Sequence, residues 1–296
     1  ELFPDEATRP KILGPDPHSF KQDGPDKAKL DWIRDFLEEC TQRDIDLFAV
    51  THHEYIEVDN TTFFSAAKLD VTNAIAVAVN KTCREHYPSA SVWAGEIGPH
   101  NGGSPPCDHS SMRWANFGDT AWYLDALATK ARAGYQAFCR QDLIGADYGL
   151  LDCSTGDPLP DYFAALLFRN LMGPDVLSAT VSHDATDASV RAYAHCTRGG
   201  GGVTVLVLNL AAVATTVSVD LSQHTPTLTQ QRIDYHLTMT DGIDGTGVAL
   251  NGVTLALTSS GHVPSLQGRK EQGNIVPMAP RSFAFVQFLA DVDVCK

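Results

Sequence analysis

Nowhere in the 296 residues does an apolar run approach the roughly 18 needed to cross a bilayer, so no membrane span is expected. Basic charge is scarce: 22 Lys and Arg stand against 36 Asp and Glu, a net charge of −14, and only Arg269-Lys270 are adjacent. Nucleic acid or an anionic membrane surface would be repelled at long range, so neither is expected as a partner. No two of the seven cysteines have CxxC spacing, which argues against a zinc ribbon or a thioredoxin-type site. Their odd number leaves at least one thiol unpaired within the chain or paired with another segment. Internal repeats and low-complexity stretches are also absent. The opening ELFPDEATRP has no basic-then-apolar leader and does not read as a natural start. Residue 1 is therefore expected to be a cut point, with any signal peptide removed or upstream.

What is present falls into two parts. Over residues 1–173, short apolar runs alternate with amphipathic ones. Lys11–Asp16, Leu47–Thr51, Ser91–Glu96 and Gln136–Arg140 read as strands. Between and after them, Lys27–Cys40, about Phe63–Arg84, about Ser110–Ala131 and Asp161–Leu171 read as helices. The first helix carries Leu30, Ile33, Phe36, Leu37 and Cys40 at helical spacing. Strands alternating with helices predict an α/β unit with a parallel sheet. Four strands alone would leave both sheet edges bare. The simplest repair is four further βα units upstream, making residues 1–173 the C-terminal half of a (β/α)8 TIM barrel. Over 174–296 the pattern becomes β-branched runs such as Val203–Leu208, Thr216–Val219 and Ser282–Val286, separated by Gly, Asn, Asp and Thr turns. That predicts an antiparallel β-sandwich domain, with Gly199–Gly202 as a hairpin tip.

In such barrels chemistry sits at the C-terminal ends of the strands. Those ends hold Asp16, His53, Tyr55, Glu96, Gln141 and Tyr148. A carboxylate ending an apolar strand is desolvated unless it has partners, and Glu96 is followed by the loop IGPHNGG rather than a helix. His53 and Tyr55 share one strand face, while His52 and Glu54 take the other. That alternation, with no third ligand evident, argues against a metal in His52-His53-Glu54, and no metal or organic cofactor is expected. Cys139 reads as strand packing, Asp157 as a loop cap, and Asp16 as either a hydrogen-bonding group at the strand end or a turn residue. The sequons at Asn60 and Asn80 are compatible with a secreted glycoprotein.

The stretch VWAGEIGPHNGG resembles the nucleophile motif of the heparanase-like enzymes, glycoside hydrolase family 79. KILGPD and VTHHEY resemble the family's fifth and sixth strand motifs. WYLDALATKARAGYQAFCRQDLIGADYGLLD and PDYFAALLFRNLMGPDVLSAT look most like its plant and algal branch, and RAYAHCTRGGGGVTVLVLNL with YHLTMTDG like its appended sandwich.

The resemblance implies a retaining β-glucuronidase with Glu96 as nucleophile. It places His53 and Tyr55 beside that residue. Gly102 and Gly103 would receive the substrate carboxylate on backbone N–H groups, Gln141 and Tyr148 would line the glucuronate subsite, and Asp16 joins the substrate-binding set. It pairs Cys196 with Cys295. The family's acid/base Glu lies in an Asn-Glu-Pro motif that occurs nowhere in this chain, so it is expected from an N-terminal barrel half, attached or separate. Within IGPHNGG, relatives often carry Ser and Tyr, which bears on leaving-group preference. The expected partner is a glucuronic-acid-containing glycan. The acidic balance favours weakly charged glycans, such as arabinogalactan-type side chains, or small aglycones over sulfated heparan. The expected location is extracellular or a lysosome- or vacuole-like compartment. The alternative is a non-catalytic relative that binds glycans or serves structurally outside the cell.

Overall fold

A computed structural model describes residues 9–102, 114–182, 189–222, 231–289 and 292–295. Its first part is a four-stranded parallel sheet in chain order: β1 (Ile12–Pro15), β2 (Leu47–Tyr55), β3 (Ser91–Gly98) and β4 (Ala137–Arg140). The connecting helices are α1 (Lys27–Gln42), α2 (Ala66–His86) and α3 (Asp119–Arg132), and α4 (Pro160–Leu171) follows β4. Asp26 caps α1 by accepting from the N–H groups of Ala28 and Lys29, and Ile33, Leu37 and Cys40 form its buried stripe. Pro160 opens α4, where a missing N–H costs nothing.

The central strands run further than the sequence pattern predicts, β2 to Tyr55 rather than Thr51 and β3 to Gly98 rather than Glu96. Both carry a register shift, between His52 and His53 on β2 and between Ala94 and Ile97 on β3. These irregularities let polar residues continue a strand whose apolar pattern has ended. The third helix starts at Asp119, not near Ser110, and residues 110–113 lie outside the described set. Its start is set from a distance. The N–H groups of Phe117 and Gly118 donate to the carbonyls of Gly245 and Ile243, and the Asn116 side chain accepts from the Asp119 N–H. Backbone committed to residues 243–245 is unavailable to an α-helix.

The second part begins directly after α4 with β5 (Met172–Leu177), so the expected boundary at 173/174 falls inside that strand. It continues with β6 (Val190–Thr197), β7 (Val203–Asn209), β8 (Thr215–Ser218), β9 (Gln231–Met239), β10 (Val248–Leu250), β11 (Val253–Thr254), β12 (Arg269–Gln272), β13 (Ile275–Met278) and β14 (Ser282–Phe288). An antiparallel sheet runs β11-β10-β9-β14-β7-β6-β5, with β12 also on β9, and β8 pairs with β13 in a separate ribbon. Every residue of β7 and β14 is buried, so the sheet's centre is covered on both faces. Leu206, Leu208, Phe283 and Phe285 join the core that holds Phe163 and Leu167 of α4. Val203, Val205, Val207 and Val286 pack instead with Val276 and Met278 of the ribbon. Gly199 to Gly202, all at positive φ, form the β6–β7 turn. Cys196 on β6 is disulfide-bonded to Cys295, and Cys153 is also disulfide-bonded. Asn60 is exposed after β2, whereas Asn80 is half-buried on α2, its side-chain oxygen accepting from Arg84. Among the described residues no helix is long and apolar enough to cross a membrane.

Candidate active site

His53 and Glu96 are register partners across β2 and β3, so two polar residues that lie far apart in sequence face each other at the end of the sheet. The Tyr55 hydroxyl donates to Glu96 Oε1 at 2.7 Å, and His53 Nδ1 lies 3.5 Å from the same oxygen. Among the described residues no hydrogen bond or ion pair engages Oε2. The Glu96 side chain is 34% exposed, so one oxygen is anchored while the other can be reached from outside. Burial and the bond to Glu96 push the Tyr55 phenol far above its usual range, which keeps it a proton donor to the carboxylate.

Strand alternation separates this set from its neighbours. His52 is fully buried, with Nε2 2.9 Å from the Tyr135 hydroxyl and its ring edge-on to Phe20 and Tyr135. Burial, then the Lys130 charge, lowers its pKa well below the usual histidine value, so it is neutral. Glu54 pairs with Lys130 at 2.5 Å, both side chains 1% exposed. These buried partners fix the strand that presents His53 and Tyr55.

Two glycines of β3 make the close approach possible. A Cβ at Gly98 would stand 2.5 Å from the Tyr55 ring, and one at Gly95 the same distance from Asp16 Oδ1. Neither was singled out from sequence, although both flank the motif glutamate. Gly98→Ala is expected to displace Tyr55 from Glu96. A misplacement of about 1 Å costs on the order of 10²-fold in rate. Steady-state kinetics of the full-length protein check this, with circular dichroism expected to be unchanged.

The remaining predicted residues surround this centre. Asp16 Oδ2 lies 3.0 Å from His53 Nε2. Tyr148 is buried in the loop after β4, its carbonyl accepting from Arg140 at 2.9 Å. Gln141 is held at its backbone, its N–H donating to the Ile97 carbonyl at 2.9 Å. Gly102 has a φ of +88° and open space where a side chain would project. Gly103 lies outside the described residues.

Two supporting groups escaped sequence reading. Arg140 donates to Asp161 at 3.1 Å, to Asp119 at 3.3 Å and to the Tyr148 carbonyl at 2.9 Å. Its guanidinium lies over the rings of Trp122, Tyr123 and Tyr148. Burial and the neighbouring Asp161 charge push Asp119 well above the usual carboxylate range, while the Arg140 guanidinium opposes that shift. A charged residue ending a short strand was the available signal, the same one that pointed to Glu96. Elsewhere, His100 pairs with Glu57 and stacks on Trp114 at 4.1 Å, and Val58 N–H donates to the Pro99 carbonyl, clipping together the loops that follow β2 and β3. Only the folded chain brings those residues together.

No family model matches the chain. Among curated proteins it is 31% identical to baicalin-β-D-glucuronidase of Scutellaria baicalensis over 297 residues, 97% of this chain and 51% of that protein. It is 36% identical to heparanase-like protein 1 of Arabidopsis thaliana over 220 residues, 64% of this chain and 39% of that protein. The chain thus spans about half the length of the curated relatives it matches. Among solved structures, an arabinofuranosidase aligns with a TM-score of 0.62 at 12% identity, covering 87% of this chain and 55% of that one. At that identity the likeness is one of fold.

Proposed function

The chain is a homologue of the heparanase-like β-glucuronidases of glycoside hydrolase family 79, and on that footing we propose that it carries the nucleophile of a retaining β-glucuronidase. The observation that carries the reading is Glu96 itself, with Oε1 held by the Tyr55 hydroxyl, His53 3.5 Å away and Oε2 open. In the first step Oε2 attacks the anomeric carbon as the glycosidic C–O bond breaks, and an acid protonates the departing oxygen. In the second, the same group, now a base, takes a proton from water as water displaces Glu96. Tyr55, by donating to Oε1, orients the carboxylate for that attack. Tyr148 and Gln141 line the sugar. The loop backbone at Gly102 and Gly103 receives its carboxylate, where no side chain obstructs approach.

The acid/base Glu is supplied by a segment outside these 296 residues, which contain no Asn-Glu-Pro. Several features support that. In the described structure β1 and β4 each pair on one side only. Ile12, Leu13 and Phe48, on strands of this sheet, are 51%, 42% and 43% exposed. Bare edges and apolar strand residues are what half a barrel presents to its other half. Residues 1–173 are accordingly read as the second half of a (β/α)8 barrel, and 174–296 as a β-sandwich accessory domain. The acidic chain suits glucuronic acid on weakly charged glycans or small aglycones. Its disulfides suit a secreted or lysosome- or vacuole-like setting, with Asn60 and Asn80 as glycan acceptors. The missing motif also motivates a second reading, a non-catalytic glycan-binding relative.

Proton NMR of 4-nitrophenyl β-D-glucuronide hydrolysis by the full-length protein tests the mechanism. β-Glucuronic acid is expected as the first product, before mutarotation. First release of the α anomer overturns retention, and no release from folded protein favours the binding reading.

A further inference from the structure

We propose that Asp16 acts on the nucleophile rather than on the sugar, as a positioning residue that holds His53 in place beside Glu96. The proposal rests on the reading of Glu96 as nucleophile and adds a role for its neighbours.

The geometry is a line of three groups from three strands. Asp16 follows β1, His53 is on β2 and Glu96 on β3. The imidazole lies between two carboxylates, with Nε2 3.0 Å from Asp16 Oδ2 and Nδ1 3.5 Å from Glu96 Oε1. Asp16 therefore fixes the imidazole from its outer edge, and the ring so placed fills the space beside Oε1, leaving Oε2 as the open oxygen of Glu96.

The Asp16 backbone is built for this placement. Asp16 has a φ of +58°, a left-handed conformation uncommon outside glycine that aspartate tolerates better than most residues. Its N–H donates to the Thr51 carbonyl at 3.2 Å, tying it to the strand that carries His53. Oδ1 occupies the space that any side chain at position 95 would take, since a Cβ on Gly95 would meet it at 2.5 Å. The glycine before the nucleophile is thus explained by Asp16.

The test uses Asp16→Asn, His53→Gln and the double variant in the full-length protein, with 4-nitrophenyl β-D-glucuronide turnover and inactivation by a glucuronate-configured cyclophellitol. Asp16 is 45% exposed, so folding is not at stake. Asp16→Asn is expected to lower kcat and the maximal inactivation rate about 10-fold, with KM and the inhibitor's dissociation constant unchanged within about 2-fold. The double variant is expected to be no worse than His53→Gln alone, because Asp16 acts only through that ring. A raised KM with kcat intact, or losses that multiply, overturns the proposal in favour of a direct sugar contact. Inactivation of Asp16→Asn at the wild-type rate also overturns it while leaving Glu96 as nucleophile. Wild-type protein that hydrolyses the substrate without labelling at Glu96 sinks the nucleophile assignment, and this proposal with it.

Discussion

Glu96→Gln is expected to lower glucuronide turnover of the full-length protein by about 10⁴-fold or more while leaving fold and substrate affinity close to wild type. An amide oxygen does not form the glycosyl ester, and loss of a nucleophile removes the covalent route altogether. The side chain is 34% exposed, and the Gln amide oxygen can still accept from Tyr55 in place of Oε1, so the substitution leaves no buried group unpaired. The companion variant Glu96→Ala makes the result specific to chemistry. It opens space beside the anomeric carbon, and added azide is expected to restore cleavage of an activated glucuronide by attacking that carbon directly. The product is then the α-glucuronyl azide, with inverted configuration. A purely structural Glu96 yields no azide adduct.

Lys130→Met is expected to destabilise the protein by about 3–5 kcal/mol, read as a lower denaturant midpoint. Lys130 and Glu54 are each 1% exposed and 2.5 Å apart, and among the described residues Glu54 Oε1 has no hydrogen-bond partner. Removing the ammonium leaves a carboxylate in the core with nothing to offset its desolvation. The double variant Glu54→Leu with Lys130→Met is expected to recover most of the loss, since an apolar pair of similar volume costs less than half an ion pair. Glu54 lies between His53 and Tyr55 on β2, so the single variant is also expected to reduce activity below what its folded fraction explains. Two measurements on one protein, unfolding and turnover, separate these effects.

The parallel βα part was legible because each of its signals is local. Ile33, Leu37 and Cys40 sit on one face of α1 at the spacing that the sequence shows. His53 and Tyr55 share a face, opposite His52 and Glu54, because β-strands alternate. Glu96 stood out as a charge at the end of an apolar strand, and the surrounding motif gave it a role. The start of α3 was not legible, because Phe117 and Gly118 are bound by residues 243–245, more than 120 positions away. Nor were the Glu57–His100–Trp114 clip and the Arg140 cluster. Each joins segments whose own patterns say only loop, strand end or helix start. The glycines at 95 and 98 belong to the same class, since their necessity appears only once Asp16 and Tyr55 are seen against them.

The most direct test of the account is to inactivate the full-length protein with a glucuronate-configured cyclophellitol and locate the adduct by peptide mass spectrometry. The account predicts one adduct, on Glu96, formed in step with loss of activity and prevented by free glucuronate. Inactivation with the label on a different carboxylate, or turnover that persists with no label on Glu96, contradicts it.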